Sequence, residues 1–404
     1  MEKIEFLKKL EMINKEYHTE EEDKKKFNIF RALHKEKDER RLHSRFLAFL
    51  LSPESNHGMR NKFLELFISE MVDNKLELDG CEVFPKTNKE EKLDIDILIL
   101  NKKHSYAIII ENKIDANDSN KIKNRDKNEE EGQIARYINR VKDKENIPVD
   151  NIYVLYLTLH KSPSAKTFGS YPRNKVKIIN YTTEITQWLD KCIDNCKGTF
   201  LEECIVQYKN VISVLNSNIK RVLYFKELIT DKDNWELTFE NKIVIIEMPD
   251  FKHVKWHIVH EFWVSENNED MSIKKQLISN GYEDIQVFPT NEEKNDNSFK
   301  KAIGIVTRNN KAKLHGLTFK KNGELYYIAY DKNNGLSLGI PNSGGKVKGK
   351  DWDSINDNIN FSDFMYGDTF KIINDSFRKE LIQLTIKNLN DFCDKDYNNR
   401  KLSI

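Results

Sequence analysis

The chain has 404 residues, of which 32% are charged and 38% hydrophobic, and its 66 Lys and Arg nearly balance its 65 Asp and Glu. A net charge of +1 excludes a wholesale polycation, so any contact with a polyanion must come from local clusters of charge. The longest apolar runs, Tyr106–Ile110 and Ile152–Leu157, fall far short of the roughly 20 residues that a membrane-spanning helix needs, and no membrane partner is expected.

Residues 1–75 read as helices. Leu7, Leu10, Ile13 and Tyr17 recur at helical spacing, as do Leu42, Phe46, Phe49 and Leu50. Pro53 and Gly58 bracket a loop, and a further helix runs through Phe63, Leu66, Phe67 and Met71. The period changes after Gly80. Val83-Phe84-Pro85 reads as a short strand, Leu93–Leu100 as a second, and Tyr106–Ile114 as a buried central strand, with a turn at Asn101–His104. Ala116–Gly132 is almost purely polar and is expected to be a mobile loop beside the cleft. A helix over Gln133–Val141, strands at Ile152–Leu159 and Val176–Asn180, and a helix over Thr183–Cys192 capped by Thr182 or Thr183 complete a mixed α/β core.

Residues 199–228 form one long helix with Leu201, Cys204, Tyr208, Val211, Leu215, Ile219 and Val222 on a stripe. It can pack on the core, link the two halves or form an oligomer interface. Beyond it come an aromatic segment at Phe251–Val264, a helix at Ser272–Asn280, and strands at Glu283–Phe288, Ala302–Thr307, Leu314–Phe319 and Leu325–Tyr330. A Gly-, Ser- and Lys-rich loop at Gly335–Gly349 and a closing helix over Asn374–Cys393 follow, so this half reads as an α+β domain with an antiparallel sheet. The expected division is 1–198, a linking helix over 199–230, and an accessory domain over 231–404 that selects substrate or regulates. Any homo-oligomer would use the 199–228 helix or this last domain.

The stretch that carries chemistry is Leu93-Asp94-Ile95-Asp96-Ile97-Leu98-Ile99 followed by Ala107-Ile108-Ile109-Ile110-Glu111-Asn112-Lys113-Ile114. Residues two apart on a strand share a face, so Glu111 and Lys113 point the same way at the end of a strand otherwise too apolar to carry charge. Asp94 and Asp96 are expected to share a face of the preceding strand. Paired strands would then bring three carboxylates and one ammonium to one patch. Clustered carboxylates repel and desolvate poorly, and a hard divalent cation such as Mg²⁺ or Mn²⁺ is the simplest neutraliser. The alternative is an exposed cross-strand ion pair between Glu111 and Lys113.

The stretch Leu42-His43-Ser44-Arg45-Phe46-Leu47-Ala48-Phe49-Leu50-Leu51, then Pro53 and His57-Gly58, then Ile110-Glu111-Asn112-Lys113-Ile114, then Gln133 and Tyr137, resembles a bacterial branch of the PD-(D/E)XK nuclease superfamily. The resemblance covers roughly residues 27–190. It implies a restriction-endonuclease-like fold, in which helices flank a mixed central sheet, and a Mg²⁺-dependent phosphodiesterase in which Mn²⁺ can substitute. By the same resemblance Asp96 and Glu111 are the metal ligands, Lys113 is the catalytic lysine, and Gln133 belongs to the site. Glu39, His43, Tyr137 and Asp94 are secondary candidates.

The expected reaction is endonucleolytic cleavage of DNA, with a role in bacterial defence against foreign DNA. RNA cleavage by the same site, or a nucleic-acid-binding regulator awaiting a partner, are the alternatives. Lys346, Lys348 and Lys350 are candidate phosphate contacts, or else simply a solvated loop. His43 and His57 read as substrate contacts or as structural residues of the loop, with the structural reading preferred. His253, His257, His260 and Glu261 could be spaced for zinc, but the surrounding Phe251, Trp256, Phe262 and Trp263 favour a packed aromatic helix. Five cysteines (Cys81, Cys192, Cys196, Cys204 and Cys393) without a paired pattern, and a start, Met1–Glu5, without an apolar stretch, make a reduced, cytoplasmic location the expectation.

Overall fold

The computed structural model describes the chain apart from residues 73–74, 86–93, 115–120, 125–128, 161, 266–271, 290–294, 310–312, 332–334, 342–351 and 402–404. In chain order the helices are α1 (Lys3–Lys25), α2 (Ile29–Leu33), α3 (Arg45–Leu51), α4 (Lys62–Met71), α5 (Gln133–Glu145), α6 (Thr186–Asn195), α7 (Phe200–Thr230), α8 (Trp235–Glu240), α9 (Lys242–Glu247), α10 (Phe251–Trp263), α11 (Ile273–Ser279), α12 (Asn295–Asn309) and α13 (Asp375–Lys401). Contacts divide the chain into two units, Glu22–Asn218 and Met1–Glu21 with Ile219–Ile404. A boundary drawn from sequence at 198 keeps α1 with the first unit. Its apolar stripe instead joins the second core, where Phe6, Leu10 and Ile13 cluster with Phe225, Ile229 and Val254.

The Glu22–Asn218 unit is built on β1 (Cys81–Pro85), β2 (Ile97–Asn101), β3 (Tyr106–Lys113), β6 (Ile152–Thr158) and β7 (Val176–Asn180), in spatial order β1-β2-β3-β6-β7. The β1–β2–β3 part is antiparallel, whereas β3–β6 and β6–β7 are parallel, so the sheet is mixed. All eight residues of β3 are buried, as a central strand covered on both faces requires. Ala107 and Ile109 turn to the face where Ile134, Tyr137, Ile138 and Val141 of α5 pack. At roughly 1.5–3 kcal/mol for each fully buried Ile, this burial fixes both the register and the direction in which the end of β3 points.

The segment expected to be a polar loop contains a short hairpin, β4 (Lys121–Asn124) with β5 (Glu129–Glu131); its other residues, through Asn128, lie outside the described set. The Leu93–Leu100 expectation needs correction. The strand begins only at Ile97, and Asp94 occupies a turn at φ +59°, a conformation that Asp tolerates better than most residues. The cap of the Thr183–Cys192 helix is also different. A wide turn, Tyr181–Ile185, precedes α6, and Asn180 supplies the side chain that accepts from the Thr182 N–H.

The second unit carries an antiparallel sheet of β8 (Glu283–Phe288), β9 (His315–Lys321), β10 (Glu324–Asp331), β11 (Gly335–Gly339) and β12 (Trp352–Asn356), in sequential spatial order. Two expectations fail here. Ala302–Thr307 is helical, because Phe299, Ala302, Ile303 and Val306 make an i, i+3, i+4, i+7 stripe, all within 1% exposure, that outweighs the local β-branched run. Gly335–Gly339, read as the start of a loop, is a strand paired to both β10 and β12, and Gly335 at φ +62° comes too close to the Asn356 carbonyl for any side chain. The expected phosphate contacts Lys346, Lys348 and Lys350 lie outside the described residues.

Candidate active site

The period of two along β3 separates its last residues. Glu111 and Lys113 share the face of Ala107 and Ile109, toward α5, while Asn112 projects to the opposite face. Lys113 Nζ lies 2.6 Å from Glu111 Oε1, with both side chains at most 5% exposed. This ion pair is therefore buried, not the exposed cross-strand pair that was the alternative. Gln133, the first residue of α5, donates to the same Glu111 oxygen at 2.7 Å and approaches the Tyr137 hydroxyl at 2.8 Å, one helical turn on.

Asp96 ends the turn before β2, and its Oδ2 accepts from the Asn112 N–H at 3.0 Å. Glu39 starts a wide turn, Glu39–Ser44, and its Oε1 accepts from the Ile114 N–H at 2.6 Å. Three carboxylates therefore bear on one ammonium. Burial works to lower the Lys113 pKa, but the attraction of Glu111, Asp96 and Glu39 outweighs it and holds the pKa above its usual value. These charges favour the ammonium form of Lys113. Asp94 differs from its expected place. It does not share a strand face with Asp96, and its Oδ2 lies 3.4 Å from Arg140 of α5. Tyr137 is held phenolic by burial and by the charges of Glu111 and Asp96.

On the opposite face lies a set of contacts that sequence reasoning missed. The Asn112 side-chain amide donates to the Glu39 carbonyl and to Ser44 Oγ, each at 3.0 Å, and its Oδ1 accepts from the Tyr181 hydroxyl at 2.8 Å. His43 meets the Tyr208 hydroxyl of α7 through Nδ1 at 2.9 Å and the Glu36 carbonyl through Nε2 at 2.7 Å. Because a carbonyl only accepts, Nε2 carries the proton, so Nδ1 of the neutral ring accepts from Tyr208. Burial pushes the His43 pKa down to about 4, which keeps the ring neutral. His43 thus supports the back of the site, away from Glu111 and Lys113. His57 links its own loop, reaching the Ser52 carbonyl at 3.0 Å and accepting from the Met59 N–H. Only Ser44, adjacent to His43 in the quoted motif, signalled this network; nothing local in the sequence marks Tyr181 or Tyr208 as its partners.

Among the described residues no group of three or more His, Cys, Asp or Glu side chains is arranged to hold a metal ion. This covers the His253, His257, His260 and Glu261 cluster, where His260 instead stacks on Trp256 with ring centroids 4.9 Å apart. Side chains that offer only oxygen donors, such as Asp96 and Glu111, suit a hard divalent cation. The all-oxygen donor set and the excess of negative charge around Lys113 are consistent with such an ion.

A mixed five-stranded sheet flanked by helices, with a carboxylate–lysine pair buried at the end of its central strand, defines a restriction-endonuclease-like fold. Residues 27–210, which lie inside the Glu22–Asn218 unit, match the family model of the PD-(D/E)XK nuclease superfamily. Its members are generally nucleases that cleave phosphodiesters with divalent metal ions, so the substrate class is nucleic acid. No curated protein and no solved structure matches the chain. No helix among the described residues is long and apolar enough to cross a membrane.

Proposed function

We propose that the chain is a Mg²⁺-dependent endonuclease that cleaves DNA, with Asp96 and Glu111 as metal ligands and Lys113 as the catalytic lysine. The observation that carries this reading is the buried Glu111–Lys113 pair, with Asp96 beside it, inside the segment that matches the superfamily. A chain rarely buries such a charge cluster without a functional return, because its desolvation costs several kcal/mol per ion. When bound, the cation supplies Lewis-acid stabilisation to the phosphate. Lys113, held protonated, donates hydrogen bonds to charge that develops on the phosphate. Gln133 holds the Glu111 carboxylate from the α5 side, and Asn112 holds Asp96 through its backbone N–H. Mn²⁺, which also favours oxygen ligands, serves in place of Mg²⁺.

The choice of DNA, the defence role and a cytoplasmic location rest on the resemblance of the His43–Leu51, Ile110–Ile114 and Gln133–Tyr137 motifs to the bacterial branch. The same chemistry acts on either backbone. The test is incubation of the purified chain with plasmid, single-stranded DNA and RNA in Mg²⁺, Mn²⁺ or EDTA. Metal-dependent nicking of the plasmid is expected. Cleavage of RNA alone would transfer the reading to an RNA nuclease, and no cleavage of any substrate would overturn it.

A further inference from the structure

The 33 residues from Asn151 to Thr183 contain five Lys or Arg and no Asp or Glu, in a chain where 65 of 404 residues are acidic. The fold places this acid-free stretch against the candidate site. Thr158 at the end of β6 pairs in register with Lys113, and the Leu159 N–H reaches the Lys113 carbonyl at 3.3 Å. The β6–β7 connection therefore leaves the sheet beside Lys113.

This connection is anchored. Thr167 and Phe168 are buried, and Phe168 joins the α5 core with Ile134 and Tyr137. Its short helical turn, Ala165–Phe168, meets the chain just before Gln133 so closely that a Cβ on Gly132 would lie 2.3 Å from the Lys166 carbonyl and 2.4 Å from that of Thr167. Gly169, at φ +54°, turns the chain where an added Cβ would meet Ala135 at 2.9 Å. The buried residues hold the backbone, while Lys166, Arg173 and Lys175 stand exposed along it. Arg173 lies over the Phe168 ring at 5.8 Å, and Lys175 makes an exposed pair with Asp150. An exposed pair of this kind contributes little, and phosphate can replace its acidic partner.

From these observations we infer that the 162–175 connection is the surface on which the phosphate backbone of the substrate docks, with Lys166, Arg173 and Lys175 as its contacts. The inference rests on the nuclease reading and adds where the substrate strand runs. Cations on an anchored loop position a polyanion without reading its bases. Fixing the loop against Gly132 sets their distance from Gln133 and Glu111.

The test is equilibrium binding of a fluorescent 30-base-pair DNA duplex in EDTA, by anisotropy, across a salt series, with plasmid nicking in Mg²⁺ measured alongside. The full-length Lys166→Ala/Arg173→Ala/Lys175→Ala chain should bind at least tenfold more weakly at about 0.1 M salt. Its slope of log affinity against log salt should be shallower by about 2–3, as expected when three phosphate contacts are lost. The full-length Lys62→Ala/Lys197→Ala chain, which removes exposed cations elsewhere on the same unit, should keep the wild-type slope. If wild type nicks plasmid and the triple variant binds with unchanged affinity and slope, the docking surface is wrong and the nuclease reading stands. A wild type that neither binds nor cleaves nucleic acid overturns both.

Discussion

Replacing Lys113 with Met keeps the aliphatic stem and removes the charge. Glu111 then remains a carboxylate at 0% exposure with Gln133 donating to it. Breaking a buried pair on one side costs about 3–5 kcal/mol, because the other charge is left uncompensated in a poorly solvated place. The penalty belongs to the charge that is left behind, so removing that charge as well should remove it. The double variant Glu111→Gln/Lys113→Met removes both charges and should return to within about 1 kcal/mol of wild type, while nicking stays at least a hundredfold down. Because the chain has two units, stability is best read by hydrogen exchange of the β3 amides, which report on the Glu22–Asn218 unit. A Lys113→Met loss below about 1 kcal/mol at pH 7, or a double variant no more stable than the single, would refute the picture of a mutually dependent buried pair.

Other changes test the surroundings of the site. Tyr181→Phe leaves Asn112 Oδ1 without its hydroxyl donor and should cost about 1–3 kcal/mol, with a lower nicking rate at saturating DNA, while Phe46→Leu, in the aromatic cluster around Tyr208, should affect stability alone. Gly132→Ala drives a methyl into the Lys166 and Thr167 carbonyls and should lower nicking by displacing Gln133, measured as rate against wild type at equal folded fraction. His43 has a folded pKa near 4 against an ordinary 6.5, so the unfolded chain binds its proton first and stability is lost as pH falls through that window. The loss is on the order of 3 kcal/mol, and His43→Asn should flatten it in a pH series of β3 hydrogen exchange.

Much of the nuclease unit was legible because its signals are local. The bounds of β7 follow from a short β-branched run, β3 from an apolar run that only a central strand can bury, and α5 from its 3.6-residue stripe. The superfamily was legible from the spacing of three motifs. What stayed hidden depends on tertiary partners. The β-branched run inside α12 passes for a strand, and its helical stripe is selected by packing against α10 and the second sheet. Strand β11, rich in Gly and Ser, lacks a strand-like composition and is held by pairing on both sides. The back of the site was invisible for the same reason. Tyr181 and Tyr208 lie 69 and 165 residues from the partners they meet, and only the folded sheet brings them to Asn112 and His43.

The proposed site is tested most directly by the rate of plasmid nicking against Mg²⁺ concentration, with wild type, Asp96→Asn and Glu111→Gln measured side by side. Both substitutions keep size and remove one negative charge. Wild type should show a saturable Mg²⁺ dependence, and each variant should fall at least a hundredfold at saturating metal, the loss expected when a group that stabilises the transition state is removed. A nicking rate within about twofold of wild type in either variant, at the same Mg²⁺ midpoint, would contradict the assignment of that carboxylate to the site.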